Sequence, residues 1–182
     1  MKLGKVLFLT LLAVLLGGHF AGAATIPVTT TIQAAIGLAS DGDVIVIPAG
    51  TYIEKITIDG FNKLTITGAG PGLTTIDGTG LTGTLVTVTN SEKITIKNCS
   101  LDGVMVMGNG IFVEYSSKVT FMNCTVENAD DGITLITTTG VAIKGCHIQN
   151  NSTGIYMAQS VKNKVMTSLI TGNTLFGIFN IN

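Results

Sequence analysis

No arginine and no tryptophan occur in these 182 residues, and all ten basic side chains are lysines. Eleven acidic residues bring the formal net charge to −1. A chain so close to balance has no overall field to recruit nucleic acid or an anionic membrane surface. Prolines number three and aromatic residues make up 5 % of the chain, while Thr, Asn, Ser and Gly are abundant beside 46 % hydrophobic content. That mixture favours strands and turns over helices. The apolar run from Val6 to Leu16 is too short to span a bilayer, and no cysteine beside it offers a lipid anchor.

Lys2 and Lys5 precede that run, and small residues ending Ala21-Gly22-Ala23 follow it. This arrangement predicts a secretory signal peptide over 1–23 and an exported domain over 24–182, outside the cell, in a periplasm or at a cell surface. About 160 residues suit a single domain.

A 22-residue beat organises the second half. Gly-Ile pairs begin at 110, 132, 154 and 177. Ahead of each pair in turn fall "ITIKNCSL" from Ile94, "VTFMNCTV" from Val119, "VAIKGCHI" from Val141 and "NKVMTSLI" from Asn163, which place Cys99, Cys124, Cys146 and Ser168 in one column. Apolar and polar residues alternate within each stretch, the period of a strand. The alternation breaks at Asn98, Asn123 and Gly145, types that tolerate the left-handed conformation, so the chain is expected to bend there. A strand, a turn, a second strand, a bend and a short third strand in about 22 residues make one coil of a right-handed parallel β-helix. Leucine-rich solenoids have similar repeats but demand fixed leucines and a helical return.

Stacking the coils predicts inward ladders of Ile111, Ile133, Ile155 and Ile178, beside Val113, Leu135 and Met157. The three cysteines form another, as buried thiols too far apart for easy bridging. Ahead of the repeats, "TIQAAIGLAS" has Ile32, Ala35, Ile36 and Ala39 at helical spacing behind a capping threonine. This helix would cover the open end of the stack. The chain stops after one more Gly-Ile strand, before another turn and bend. That predicts a C-terminally incomplete solenoid, which either associates end to end through its last coil or belongs to a longer protein.

Residues 31–59, "TIQAAIGLASDGDVIVIPAGTYIEKITID", resemble the opening of pectate-lyase-like right-handed β-helix proteins, with their capping helix, Gly-Asp turn and "PAGTY" strand start. The resemblance extends over the whole exported domain. It implies the fold but leaves activity open among lyases, hydrolases, esterases, copper-maturation proteins and silent surface proteins. The lyases of that superfamily abstract a proton with arginine or lysine, and its best-known calcium pectate lyases use arginine, which this chain lacks. Its polygalacturonase-like hydrolases pair aspartates with later His-Gly and Arg-x-Lys motifs. Asp130-Asp131 is similar to their acid pair, without those partners; the same two residues also read as a polar turn.

His147, alone once the leader is gone, falls beside Ser100, Thr125 and Leu169 in a solvent-facing column, and one histidine cannot assemble a metal site. No catalytic residue, metal or cofactor is therefore nominated. The outward column after each Gly-Ile holds Thr87, Phe112, Thr134, Tyr156 and Phe179. Rings on a flat sheet can stack on sugar faces. Phe112, Tyr156 and Phe179, with Glu114, Asp130 and Asp131 nearby, are the candidate glycan-binding residues; ordinary exposed aromatics are the plain alternative. Asn98, Asn123, Asn150 and Asn151 stand in Asn-x-Ser/Thr sequons, which Asn-rich turns also create by accident. Polysaccharide or another surface polymer is the expected partner, with no role for nucleic acid. A fragment of a lyase or hydrolase and a structural or adhesive surface module remain alternatives.

Overall fold

The computed structural model describes residues 22–103 and 108–181. The leader over 1–23 lies, except for its last two residues, outside the described residues. The elements begin with β1 (Thr25–Pro27), α1 (Ile32–Leu38), β2 (Val44–Val46), β3 (Gly50–Ile53), β4 (Ile56–Asp59) and β5 (Asn62–Thr67). Next come β6 (Thr74–Asp77), β7 (Val86–Thr89), β8 (Glu92–Asp102), β9 (Ile111–Glu114), β10 (Thr120–Glu127) and β11 (Asp131–Ile136). Then follow β12 (Ala142–Lys144), β13 (His147–Gln149), β14 (Thr153–Ala158), β15 (Lys164–Met166), β16 (Leu169–Thr171) and β17 (Phe176–Ile181).

All pairings between these strands are parallel. One sheet runs β4-β7-β9-β11-β14-β17, and an 11-stranded sheet wraps the rest of each coil along β1-β2-β5-β8-β10-β12-β15, with β3-β6 and β13-β16 as side branches. This is the predicted right-handed parallel β-helix. Strands β8 and β10 run through the bend unbroken, whereas the next coils split there into β12 and β13, then β15 and β16. The bend residues are left-handed as expected: Asn98 at φ 57°, Asn123 at 51°, Gly145 at 59°, joined by Thr167 at 49°.

The Gly-Ile beat has a steric cause. A Cβ at Gly132 would sit 2.7 Å from the carbonyl oxygen of Gly154 on the next coil, and one at Gly110 would meet Gly132 O at the same distance. Only glycine permits that approach. The isoleucine that follows each glycine faces the core, where Ile111, Ile133 and Ile155 are fully buried. Ile178 continues their column by pairing with Ile155, yet stays 47 % exposed because no further described coil covers it.

The core is a cylinder of aliphatic ladders with Phe121 as its largest fully buried side chain. Helix α1 closes its N-terminal end. Thr31 caps it, its Oγ1 accepting from Ala34 N at 3.0 Å, and Ile32, Ala35 and Ile36 are buried. Glu54 accepts from the free first-turn amides of Ile32 and Gln33 at 2.8 and 3.0 Å, a carboxylate at the positive end of the helix. The "DGD" turn is held by Asp43, which is buried and accepts from Ala24 N and Ser40 N at 2.7 and 2.8 Å.

Candidate functional site

The six-stranded sheet carries the predicted outward column in the predicted register: Thr87 pairs Phe112, Phe112 pairs Thr134, Thr134 pairs Tyr156, and Tyr156 pairs Phe179. Phe112, Tyr156 and Phe179 are half-buried, and Thr134 is buried. Tyr156 and Phe179 stack at 5.7 Å between centroids, and Phe176 tilts against Phe179 at 4.8 Å. Phe112 stands apart, one coil of Thr134 lying between it and Tyr156. Three rings therefore form one apolar platform at the C-terminal coils, with a fourth ring further along the sheet.

The acidic candidates fall on the margins of this face. Glu114 follows Phe112 by two residues in β9, hence on the same side, and is half-buried. Asp131 opens β11, where its Oδ2 accepts from Thr134 Oγ1 at 3.1 Å. Burial pushes the Asp131 carboxyl above its ordinary range; hydrogen bonds from Thr134 and Thr153 oppose the shift, and neighbouring Asp130 adds to it. Asp130 is exposed, and its amide is held by Gly108 O at 3.0 Å. Among the described residues, no three His, Cys, Asp or Glu side chains come together as metal ligands would.

Phe176 is a platform residue that sequence reasoning missed. It occupies the column of Asp131 and Thr153, one position before the glycine, where the alternation that exposes the other rings has not yet begun. His147 lies in its expected column, between Thr125 and Leu169. It is not, however, a free surface residue: it is half-buried, and its Nε2 is shielded without a hydrogen-bond partner.

Polar ladders inside the turns were also missed. At the exit from the six-stranded sheet Ser91, Ser116, Thr138 and Ser160 are all buried. Ser116 Oγ accepts from Ser91 N at 3.1 Å and donates to Glu114 O at 2.8 Å; Ser160 Oγ takes the equivalent bond from Thr138 N at 3.1 Å. Asn151 does similar work in the turn before β14: its Oδ1 accepts from Ala129 N at 3.0 Å, while Asn173 Oδ1 accepts from Asn151 N at 3.1 Å. At 1 % exposure Asn151 is a structural amide, so its sequon has no room for a glycan.

The cysteine column is as expected. Cys99, Cys124 and Cys146 are free and buried, with 3.9 Å between the Sγ atoms of Cys99 and Cys124. The contact with Cys124 and burial raise the Cys146 thiol far above its ordinary value.

Known proteins place this architecture. An alginate lyase from Paenibacillus sp. str. FPU-7 superposes with a TM-score of 0.70 at 18 % identity, over 85 % of this chain and 68 % of its own. Geobacillus virus E2 ORF18 superposes at 0.66 and 19 % identity, over 78 % of this chain and 35 % of its own. The catalytic domain of a GH87 alpha-1,3-glucanase in complex with nigerose gives 0.62 at 20 % identity, over 91 % of this chain and 33 % of its own. The chain thus spans only about a third of two of these structures. At such identities the likeness is one of fold. No curated protein matches the sequence significantly. The sequence model of the right handed beta helix region matches residues 84–182, more than half of the chain. The chain belongs to the right-handed β-helix family.

Proposed function

We propose that this β-helix binds polysaccharide along the outer face of its six-stranded sheet. The observation that carries the reading is the platform of Tyr156, Phe179 and Phe176, continued along the sheet by Phe112 and bordered by Asp131, Asp130 and Glu114. Stacked rings bury the C–H faces of sugars, and carboxylates at the margin accept from their hydroxyls. Alginate lyase and alpha-1,3-glucanase, named for polysaccharides, share the fold, which supports a carbohydrate partner. Residues 1–23 we read as an export leader, so that the polymer is met outside the cytoplasm.

The test is retention on insoluble or gel-embedded polysaccharide by wild type and by the double variant Tyr156→Ala/Phe179→Ala. At about 1 kcal/mol per stacked ring, the pair is expected to weaken binding roughly tenfold or more with the β-sheet circular dichroism unchanged. Undiminished retention by a folded variant would remove the platform from any binding role.

A catalytic reading rests on Asp131, a half-buried carboxyl with a raised pKa on the same face. Without an arginine or a second acid motif, no turnover of polygalacturonate or alginate is expected. Turnover that disappears in Asp131→Ala would replace binding by catalysis.

A further inference from the structure

Net charge hides a segregation that the fold creates. Lys63, Lys93, Lys118 and Lys162 occupy one turn column, all left-handed at φ 78°, 57°, 54° and 59°, with Gly140 at 70° filling the missing place. Beyond that turn Lys97 and Lys144 share an outward column with Met122 and Met166, and Lys164 is paired with Ala142. Seven of the eight lysines after the leader therefore lie on one side of the coil. Lys55 alone lies elsewhere, its Nζ bonded to Thr82 O at 3.0 Å. Past the left-handed bend the sign reverses: Asp77, Asp102 and Glu127 form a column on β6, β8 and β10. Asn128 donates to Asp102, and Gln149 to Glu127, each at 2.8 Å.

The lysine side is partly neutralised near its N-terminal end. Glu92 pairs with Lys118 at 2.8 Å and Lys93 at 3.3 Å, and Asp41 accepts from Asn62 N beside Lys63. At the later coils no acid intervenes. Lys144, Lys162 and Lys164, all exposed, surround a groove of about 620 Å³ whose floor includes the half-buried Ala142 and Met166. The three ammonium groups rise from two adjacent coils around a small apolar patch.

We propose that this groove binds the carboxylates of an acidic polysaccharide, a polyuronate lying along the helix axis. The apolar floor suits the C–H face of a sugar ring, and the lysines suit the carboxylate at its edge. Coils advance about 4.8 Å, close to the length of one sugar in an extended chain, so Lys144 on one coil and Lys162 and Lys164 on the next meet the carboxylates of neighbouring uronates. Duplex nucleic acid winds its phosphates away from a straight stripe, and single strands call for aromatic stacking, of which the groove lining has none. The site is on another face from the aromatic platform and does not depend on it.

Affinity electrophoresis of the full exported chain in gels containing polygalacturonate tests the proposal, with neutral dextran and oligo-dT gels alongside. Wild type is expected to be retarded by polygalacturonate, increasingly so as salt is lowered, and not by dextran. The variant Lys144→Gln/Lys162→Asn/Lys164→Gln, with Asn chosen to tolerate the left-handed turn, should bind at least tenfold more weakly. Lys55→Gln, away from the groove, should leave this retardation unchanged. Wild-type retardation of a folded triple variant, an equal loss in Lys55→Gln, or stronger binding to oligo-dT would each overturn the assignment.

Discussion

The side-chain amide of Gln33 pairs with the backbone of Thr57 as a neighbouring strand would: Oε1 accepts from Thr57 N at 2.7 Å, and Nε2 donates to Thr57 O at 3.3 Å. Residue 33 lies in α1 and residue 57 in β4, the first strand of the six-stranded sheet, so the helix both covers the core and satisfies the sheet edge. Unpaired edges invite association. Gln33→Ala leaves two backbone groups to water, and since the site is exposed the expected loss is about 1 kcal/mol, read by urea denaturation. Gln33→Glu keeps the acceptor alone and should fall between. An alanine variant as stable as wild type would deny the cap any role.

The other end of the described solenoid lacks such a cover. Leu175, Phe176, Ile178 and Ile181 are each 47 to 69 % exposed on or beside β17. In a recombinant piece of residues 24–182, association through this face with the opposite end closed by α1 would give pairs rather than open filaments. Sedimentation of that piece is expected to show a concentration-dependent dimer, lost in Phe176→Ser/Ile181→Ser. Unlimited growth would mean that the N-terminal cap does not block stacking.

Thiol accessibility follows from the ladder. Cys124 Sγ donates to Met122 O at 3.4 Å and Cys146 Sγ to Lys144 O at 3.5 Å, while Ser168 makes the same bond to Met166 O at 3.0 Å on the next coil. All three are buried, and the Cys124 and Cys146 thiols are raised well above their ordinary range, so little reactive thiolate is presented. A maleimide reagent is expected to modify none of the three in native buffer at pH 8 and all three in denaturant. Cys146→Ser copies Ser168 and should change stability by less than about 1 kcal/mol; rapid native labelling would contradict the inward register.

Asn151 provides the sharpest stability test. Its Nδ2 donates to Val126 O at 3.3 Å and to Asn173 Oδ1 at 3.1 Å, so truncation orphans buried groups on two coils. Asn151→Ala is expected to cost about 2–3 kcal/mol in chemical denaturation. Asn150→Gly, at an exposed left-handed position of φ 55°, should be neutral or stabilising. Equal effects at the two sites would remove the ladder as a stabilising device.

The bend was legible at Asn98, Asn123 and Gly145 because those residue types announce a left-handed backbone. It was not legible at Thr167, nor in the turn columns of Tyr115 and Thr137 or of Lys93 and Lys118, all at φ between 46° and 57°. Their types disfavour that conformation by roughly 1–2 kcal/mol each, and only stacking against identical turns above and below imposes it. Phe112, Tyr156 and Phe179 could be assigned to one face by alternation alone. Phe176 could not, since alternation starts after it. Lysine segregation escaped because net charge averages over a coil whose two sides the bend later separates. The exposure assigned to His147 failed for a related reason: period two gives a direction, not the height of the side chains around it.

Two aspartates should respond to acid in opposite senses. Hydrogen bonds from Ser40 N and Ala24 N hold the buried Asp43 carboxyl below its ordinary value. Its contribution to stability is fully present above the unfolded pKa of about 3.9 and disappears as pH falls through the lower folded value. Burial raises Asp131, so its charged form costs stability above the folded pKa, and that cost is relieved as pH falls through it. Thermal melts at pH 7, 5 and 3 separate the two. Asp43→Asn should lower the melting temperature at pH 7 and flatten the loss between pH 5 and 3, because the variant has no charge to surrender there. Asp131→Asn retains an acceptor for Thr134 and should melt higher than wild type at pH 7, the difference shrinking at acid pH as the wild-type carboxyl becomes neutral. An Asp43→Asn protein with the full wild-type acid loss would show that other carboxylates, such as Glu92 held low by Lys118 and Lys93, govern acid unfolding instead.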